Sequence, residues 1–261
     1  MENTKISWTN HTVNLWWGCS KVHTGCKNCY AESLAIRYGN DVWGENKNRK
    51  LIKSAFSILD KIQKRAKSKG IKETVFIRSM MDIFEDAKSI LGLRERYVNT
   101  ATLRDNFFDD IQKGKYDNII FLLLTKRPKN IDMYVPTKWL ENPPQNVWIG
   151  TSISDNITKS YARDLTIYWK GKKFLSIEPQ INIIHYLTTQ EHSSFDWVIQ
   201  GCESGHFKRT FKIEWARQIK KECNRLGIPY FLKQIQDENK KVIKNIEQFP
   251  KDLQIREFPN W

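Results

Sequence analysis

Short, nearly unbroken apolar runs alternate with amphipathic stretches along most of this chain. Seven runs have the length of strands: "TVNLWWG" (12–18), "TVFIRSM" (74–80), "NIIFLLLTK" (118–126), "VWIGTSI" (147–153), "KKFLSIEP" (172–179), "DWVIQGC" (196–202) and "PYFLKQI" (229–235). Several are almost continuous in Val, Ile, Leu and Phe, the pattern of parallel strands covered on both faces. Between them apolar positions recur at helical spacing, most plainly in "EWARQIKKECNRLG" (214–227), where Gly227 is placed to cap the helix and Pro229 to stop it. Strands alternating with helices predict an α/β fold with a parallel sheet. Seven such units predict a single-domain partial or closed parallel (β/α) barrel of the TIM-barrel type over residues 1–235. The pattern lapses over 236–261, which reads as a tail packed on the barrel. A chain of 261 residues, 40% hydrophobic, can bury one core of this size, and no internal repeat or low-complexity linker divides it.

Charge changes this picture in one region. From Lys47 to Lys72 ten basic residues face a single acid, Asp60, within an overall net charge of +14. Leu51, Ala55, Ile58, Leu59, Ile62 and Ala66 recur there at helical spacing, so a helix at about 50–69 is expected, with a basic outer face. A solvated face that only keeps a protein soluble usually intersperses acids, and this one does not. Lys61, Lys64, Arg65 and Lys67 are therefore expected to contact the phosphates of a DNA or RNA partner. A second stretch, Lys208 to Lys244, holds eleven basic residues against four acids.

Parallel α/β folds build their sites beyond the C-terminal ends of their strands, and every predicted strand here ends on polar residues. The second leads into Ser79 and Asp82, the third into Thr125, Lys126 and Arg127, and the fourth into Thr151, Ser152 and Ser154. The fifth leads into Ser176 and Glu178, the sixth into Glu203 and Ser204, and the seventh into Lys233 and Gln234. Any one of these has an ordinary structural explanation, such as Ser79 or Ser152 capping a helix. Seven on one rim predict a ligand site.

The first predicted strand leads into "GCSKVHTGCKNCY", which holds Cys19, Cys26 and Cys29, three of the five cysteines. "MENTKISWTN" has no apolar core of a signal peptide and no later run is long enough to span a membrane, so a cytoplasmic protein with reduced thiols is expected. A tight thiol cluster in that setting holds metal. The spacing C-x6-C-x2-C leaves zinc and an iron–sulfur cluster both open. Zinc would draw a fourth ligand, for which His23 lies in the loop. A cluster on three cysteines keeps one iron free for a small molecule.

The segments "WTNHTVNLWWGCSKVHTGCKNCYAE", "SMMDIF", "LLLTKRP", "VWIGTSIS", "LSIEP", "DWVIQGCESG" and "PYFLKQ", in that order, resemble the phage Gp37/Gp68 family, also known as DUF5131. That family resembles radical S-adenosylmethionine (SAM) proteins, and within them the spore photoproduct lyase-like branch. The resemblance implies that Cys19, Cys26 and Cys29 hold three irons of a [4Fe–4S] cluster and that SAM chelates the fourth, with Tyr30 as the aromatic residue after the last cysteine. It further implies that Ser79 and Asp82 accept hydrogen bonds from the SAM ammonium, that Lys126 faces its carboxylate, and that Ser152 and Glu178 approach the ribose or sulfonium. Two departures stand out. Radical SAM proteins usually show C-x3-C-x2-C, three residues shorter, and Cys202 stands where the Gp37/Gp68 pattern has Gly. Cys202 as a fourth ligand would displace SAM; as a small buried residue, like Cys223 in its amphipathic helix, it would not.

Three function classes follow. The chain is expected to be a radical SAM-type enzyme that modifies or repairs nucleic acid, drawing electrons from a donor or partner protein. A metal-stabilised nucleic-acid-binding protein without catalysis would share the charge and the thiols but have no use for Asp82 and Lys126. A radical SAM-type enzyme acting on a peptide or small molecule would use the charge for solubility alone.

Overall fold

The computed structural model describes residues 2–92, 98–185, 195–205 and 207–261. In chain order its elements are β1 (His11–Val13), β2 (Trp16–Trp17), α1 (Tyr30–Arg37), β3 (Lys50–Leu51), α2 (Ala55–Lys69), β4 (Glu73–Ile77), α3 (Thr100–Gln112), β5 (Ile119–Thr125), α4 (Ile131–Tyr134), α5 (Thr137–Glu141), β6 (Val147–Ser152), α6 (Ser160–Tyr168), β7 (Lys172–Ile177), β8 (Trp197–Gly201), α7 (Ile213–Leu226), β9 (Tyr230–Gln236) and β10 (Val242–Ile243). The main sheet has eight strands in the order β1-β4-β5-β6-β7-β8-β9-β10. Every pairing from β1 to β9 is parallel, and only β10 runs antiparallel.

The sheet is curled but open: β1 and β10 are its two edges, so the closed-barrel alternative is excluded in favour of a half-barrel. Its curl is visible in Trp8, whose ring lies 4.5 Å from Phe76 of β4 and 6.1 Å from Trp197 of β8. One side chain reaches strands that far apart in the sheet order only across a concave face. That inner face carries its own apolar cluster, Trp8, Phe76, Ile120, Leu122, Leu124, Trp148, Phe174, Trp197, Ile199 and Phe231. The alternate residues of the same strands, among them Val75, Phe121, Leu123, Ile149, Leu175 and Tyr230, point outward into a larger core shared with the helices.

Local chemistry explains most boundaries. Helix α2 buries Ala55, Leu59, Ile62 and Ala66 on one stripe and ends at Gly70, in the left-handed conformation at φ 64°. Helix α7 buries Trp215, Ala216, Ile219 and Cys223 and ends likewise at Gly227. The predicted first strand is split. Only His11–Val13 joins the sheet, because the Asn14 side chain replaces the ladder, donating to Ser79 Oγ (2.7 Å) and accepting from the Met80 N–H (2.8 Å). Trp16–Trp17 instead pairs with Lys50–Leu51, which the expected helix at 50–69 had included.

The C-terminal segment covers the β9 edge. Beyond β10, the Leu232 N–H donates to Ile255 O and the Glu257 N–H to Tyr230 O, so the tail satisfies backbone groups that an open edge would expose. Trp261 then stands edge-on to Trp148 at 4.8 Å and to Trp197 at 5.6 Å, against the inner-face cluster. No helix among the described residues is long and apolar enough to cross a membrane.

Candidate functional site

On β4, β5, β7 and β9 the inward register changes from apolar to polar or charged on approaching the C-terminal end. Phe76 is followed two residues on by Arg78, Leu124 by Lys126, Phe174 by Ser176 and Glu178, and Phe231 by Lys233. These polar residues line one large cavity in the mouth of the half-barrel, with Ile6, Trp8, Phe76 and Leu124 among its apolar lining. The cavity encloses about 1000 Å³ of space between atoms, a figure that includes open solvent at its mouth. Between β8 and β9 the register slips so that Gln200 opposes Leu232 and Gly201 opposes Gln234. Lys233 is thus the extra residue of a bulge, and it pairs with Glu178 across the cavity wall.

Cys19, Cys26 and Cys29 all line this cavity as free, half-buried thiols. Their loop is built tightly. Gly18, at φ 120°, precedes the first thiol where a Cβ would stand 2.4 Å from Val42 O and 2.5 Å from Arg49 Cδ, so only glycine passes there. The extra residues of the long first spacing form a turn clamped to the rim. His23 Nδ1 accepts from the Gly25 N–H at 2.8 Å, Thr24 Oγ1 donates to Asp155 at 2.7 Å, and Arg209 Nη1 donates to Thr24 O at 3.0 Å. Glu203 accepts from both Asn28 (3.2 Å) and Arg209 (3.0 Å). Burial, with repulsion from Lys126 and Arg78, pushes His23 down to about 2, and its ring lies edge-on to Tyr161. The loop engages His23 through Nδ1 alone, and its buried Nε2 has no hydrogen-bond partner.

Behind the thiols runs a buried chain of charges. Arg49, fully buried and hence no part of a phosphate-binding surface, forks onto Glu85 at 2.6 and 2.9 Å and ties down the carbonyls of Val42, Gly44 and Lys47. Arg127 links this chain to the site. Its Nη1 lies 3.1 Å from Asp82 Oδ2 and 3.7 Å from Cys19 Sγ, while its Nη2 donates to Ser20 Oγ at 2.8 Å. Burial disfavours that guanidinium, but Asp82, Cys19 and Glu85 more than compensate and hold it protonated. Burial pushes the Cys19 thiol up to about 12 against the pull of Arg127. A bound metal would supply the charge that makes it a thiolate.

The expected ligand contacts divide into two groups. Ser79, Lys126 and Glu178 line the cavity. Asp82 and Ser152 are fully buried and do not. Asp82 Oδ1 accepts from Thr125 Oγ1 (2.8 Å) and the Phe84 N–H (3.1 Å), and its Oδ2 accepts from the Lys126 N–H (3.0 Å) and Arg127. Burial alone would raise this carboxyl; Arg78, Arg127 and those hydrogen bonds hold it below its ordinary value. It fixes the Lys126–Arg127 turn from behind the cavity lining. Ser152 stands one step above Gly150, where a Cβ would meet the Phe174 ring at 2.5 Å, and its buried hydroxyl has no hydrogen-bond partner. Cys202 also lines the cavity and burial pushes it up to about 12, whereas Cys223 sits in the outer core. Arg78 and Asn14 carry weight that the strand-end pattern alone did not single out.

Residues 3–256 match the family described as "Protein of unknown function (DUF5131)". The chain belongs to the DUF5131 family. No curated protein and no solved structure matches it.

Which groups can this DUF5131 cavity hold? Among the described residues, no three His, Cys, Asp or Glu side chains converge as they would around one metal ion. A four-iron cluster asks something else, one thiolate for each of three irons, and three free thiols on the wall of one cavity have that chemistry. Two features fit an anionic or zwitterionic ligand beside it. The Lys126 ammonium makes no hydrogen bond or ion pair among the described residues, and burial together with Arg78 brings it down to about 8. The buried Nε of Arg78 has no hydrogen-bond partner.

The three lysines and one arginine expected to bind nucleic acid lie elsewhere. Arg65 pairs with Glu73 (2.7 Å), the first residue of β4, and stands 2.9 Å from His11, the first residue of β1. Those are the N-terminal ends of the strands, opposite the thiols. Arg65 also bonds Glu2, so its guanidinium is already engaged, while Lys61, Lys64 and Lys67 are exposed. The basic half of α2 therefore faces away from the rim.

Proposed function

We propose that this protein is an iron–sulfur protein of the radical SAM type that acts on nucleic acid, in modification or repair. The observation that carries the reading is that three free thiols share one rim cavity with a lysine ammonium that has no partner among the described residues. In this reading Cys19, Cys26 and Cys29 hold a [4Fe–4S] cluster. Lys126 holds the SAM carboxylate, and Ser79 and Glu178 face its ammonium and ribose. Such a cluster, once bound and reduced by an electron donor, supplies one-electron reductive cleavage of the SAM sulfonium. The chain's own part is to orient and to exclude water. Arg127 fixes the Cys19 segment through Ser20, Asp82 fixes Arg127 and the Lys126 backbone, and the aromatic face below closes the cavity to bulk solvent. The net charge of +14 supports a polyanionic partner.

Anaerobic reconstitution tests this directly. It should yield about four irons and four sulfides per chain, and each of Cys19→Ala, Cys26→Ala and Cys29→Ala should lose most of them. With a reductant and SAM, 5′-deoxyadenosine should accumulate. Stoichiometric zinc and no iron in an anaerobic preparation would overturn the cluster.

A further inference from the structure

The outer wall of the cavity carries a feature that neither cluster nor SAM would use. Helix α1 and the loop that follows it pack a small core of Ala31, Ala35, Val42 and Met80, separate from the two main apolar clusters. Ala31, Met80 and the neighbouring Trp43 line the cavity. On the solvent side, the rings of Trp17 and Tyr38 lie 6.1 Å apart at 50°, and the Lys50 ammonium stands 5.9 Å from the Trp17 centroid. Tyr38 is 65% exposed, and its chain neighbour Arg37 and Lys50 beside Trp17 are exposed too. The platform is held close to the site: Trp17 lies two residues before Cys19, and Cys19 forms a β-bridge with Trp43.

We propose that Trp17, Tyr38, Arg37 and Lys50 form the landing surface for a single-stranded nucleic acid, leading past Trp43 into the cavity. A mostly exposed tyrosine ring at a helix end offers a face on which an unpaired base stacks, and the cations beside it neutralise the flanking phosphates. A duplex keeps its bases inside the stack and presents no such face. The proposal rests on the nucleic-acid reading above and moves the contact from α2, at the far end of the strands, to the rim where the thiols lie.

The test is fluorescence anisotropy of the full-length protein with a short labelled single strand and its duplex at several salt concentrations. Tyr38→Ala should weaken single-strand binding roughly five-fold or more, while Tyr38→Phe, which keeps the ring, should bind as wild type. The pair Arg37→Gln and Lys50→Gln should flatten the log–log salt slope by about 1.4, at about 0.7 for each phosphate of a single strand. Lys61→Gln, Lys64→Gln and Lys67→Gln together should leave single-strand affinity unchanged. If the three α2 substitutions abolish binding and Tyr38→Ala does not, the nucleic-acid reading stands and this surface is wrong. If the wild-type protein binds neither probe at low salt, that reading itself fails, and the exposed Ile36–Tyr38 turn belongs to a protein partner. Denaturation curves of Tyr38→Ala matching wild type separate lost stacking from lost fold.

Discussion

The floor and the mouth of the half-barrel belong to the same face of the same strands, yet differ in how completely their groups are matched. On the floor Trp8, Phe174, Trp197 and Phe231 pack ring against ring, with Trp148 against Trp261, and the Trp197 indole N–H donates to Glu257 O at 2.9 Å. The buried Trp8 indole N–H lacks a hydrogen-bond partner there, but it carries no charge. Two residues further along the strands, Arg78 has a buried Nε without a partner, the Lys126 ammonium has none among the described residues, and three thiols stand free. A face that solves its packing at one end and leaves charges unmatched at the other separates stability from binding along each strand. Substitutions on the floor should unfold the protein, and substitutions at the mouth should leave it folded and unable to bind.

The largest effect tests the floor. Trp197 is fully buried, and Trp197→Ala should cost about 3–5 kcal/mol of stability in urea unfolding. A loss under 1 kcal/mol, on the order of a surface substitution, would mean that the aromatic floor does not carry the fold. Asp82→Asn sharpens the boundary between the two regions. It leaves Arg127 and Arg78 short of a buried counter-charge, so destabilisation of about 3 kcal/mol is expected. A variant as stable as wild type that has lost SAM affinity would restore Asp82 as a direct ligand. Lys126→Ala should do the reverse. It removes an ammonium with no partner among the described residues, so stability should hold or rise, while SAM binding to the reconstituted protein weakens by about 1.5–3 kcal/mol. Calorimetry that finds unchanged affinity would move the carboxylate site away from Lys126.

Much of this division is legible in the sequence because strand periodicity is short and strict. The pairs Phe76 and Arg78, Leu124 and Lys126, and Phe231 and Lys233 each keep one face over two residues, so the polar strand ends already point at a shared rim. Asp82 and Ser152 sit at equally polar strand ends, but which oxygens are left for a ligand depends on partners such as Thr125 and Arg127. Arg49 shows the same limit. Within a run of ten basic residues nothing local marks it as the one that turns inward to Glu85, a pairing made across thirty-six positions of chain. The open sheet, too, depends on tail residues such as Ile255 and Glu257 covering the β9 edge, and a hydrophobic pattern does not encode which edge a tail will cover.

The smallest expected effect lies at the far end of the sheet, where Arg65 is part of a structural cluster with Glu73 and His11. The Asn3 N–H donates to His11 Nδ1 at 2.9 Å, so the neutral ring carries its proton on Nε2 and gives it to Glu73 at 2.9 Å. Burial lowers His11 below its ordinary 6.5, outweighing Glu73. For Glu73, burial raises the carboxyl, but its bonds to Arg65 and His11 prevail and hold it below 4.5. Both shifts give the unfolded chain the higher proton affinity, so both act in the same direction. Stability should decline as pH falls below about 6.5, where an unfolded His11 takes a proton that the folded one refuses. A second decline should set in below about 4.5, as the unfolded Glu73 protonates first. Glu73→Gln removes the Glu73 share of the second decline, leaving the shares of Asp82 and Glu203, and costs about 1 kcal/mol near neutrality, the scale of a partly exposed ion pair. Urea midpoints at about pH 7, 5.5 and 4 for both proteins measure this. Parallel pH profiles would show that Arg65 is not committed to Glu73 and return it, with Lys61, Lys64 and Lys67, to the candidates for a phosphate surface.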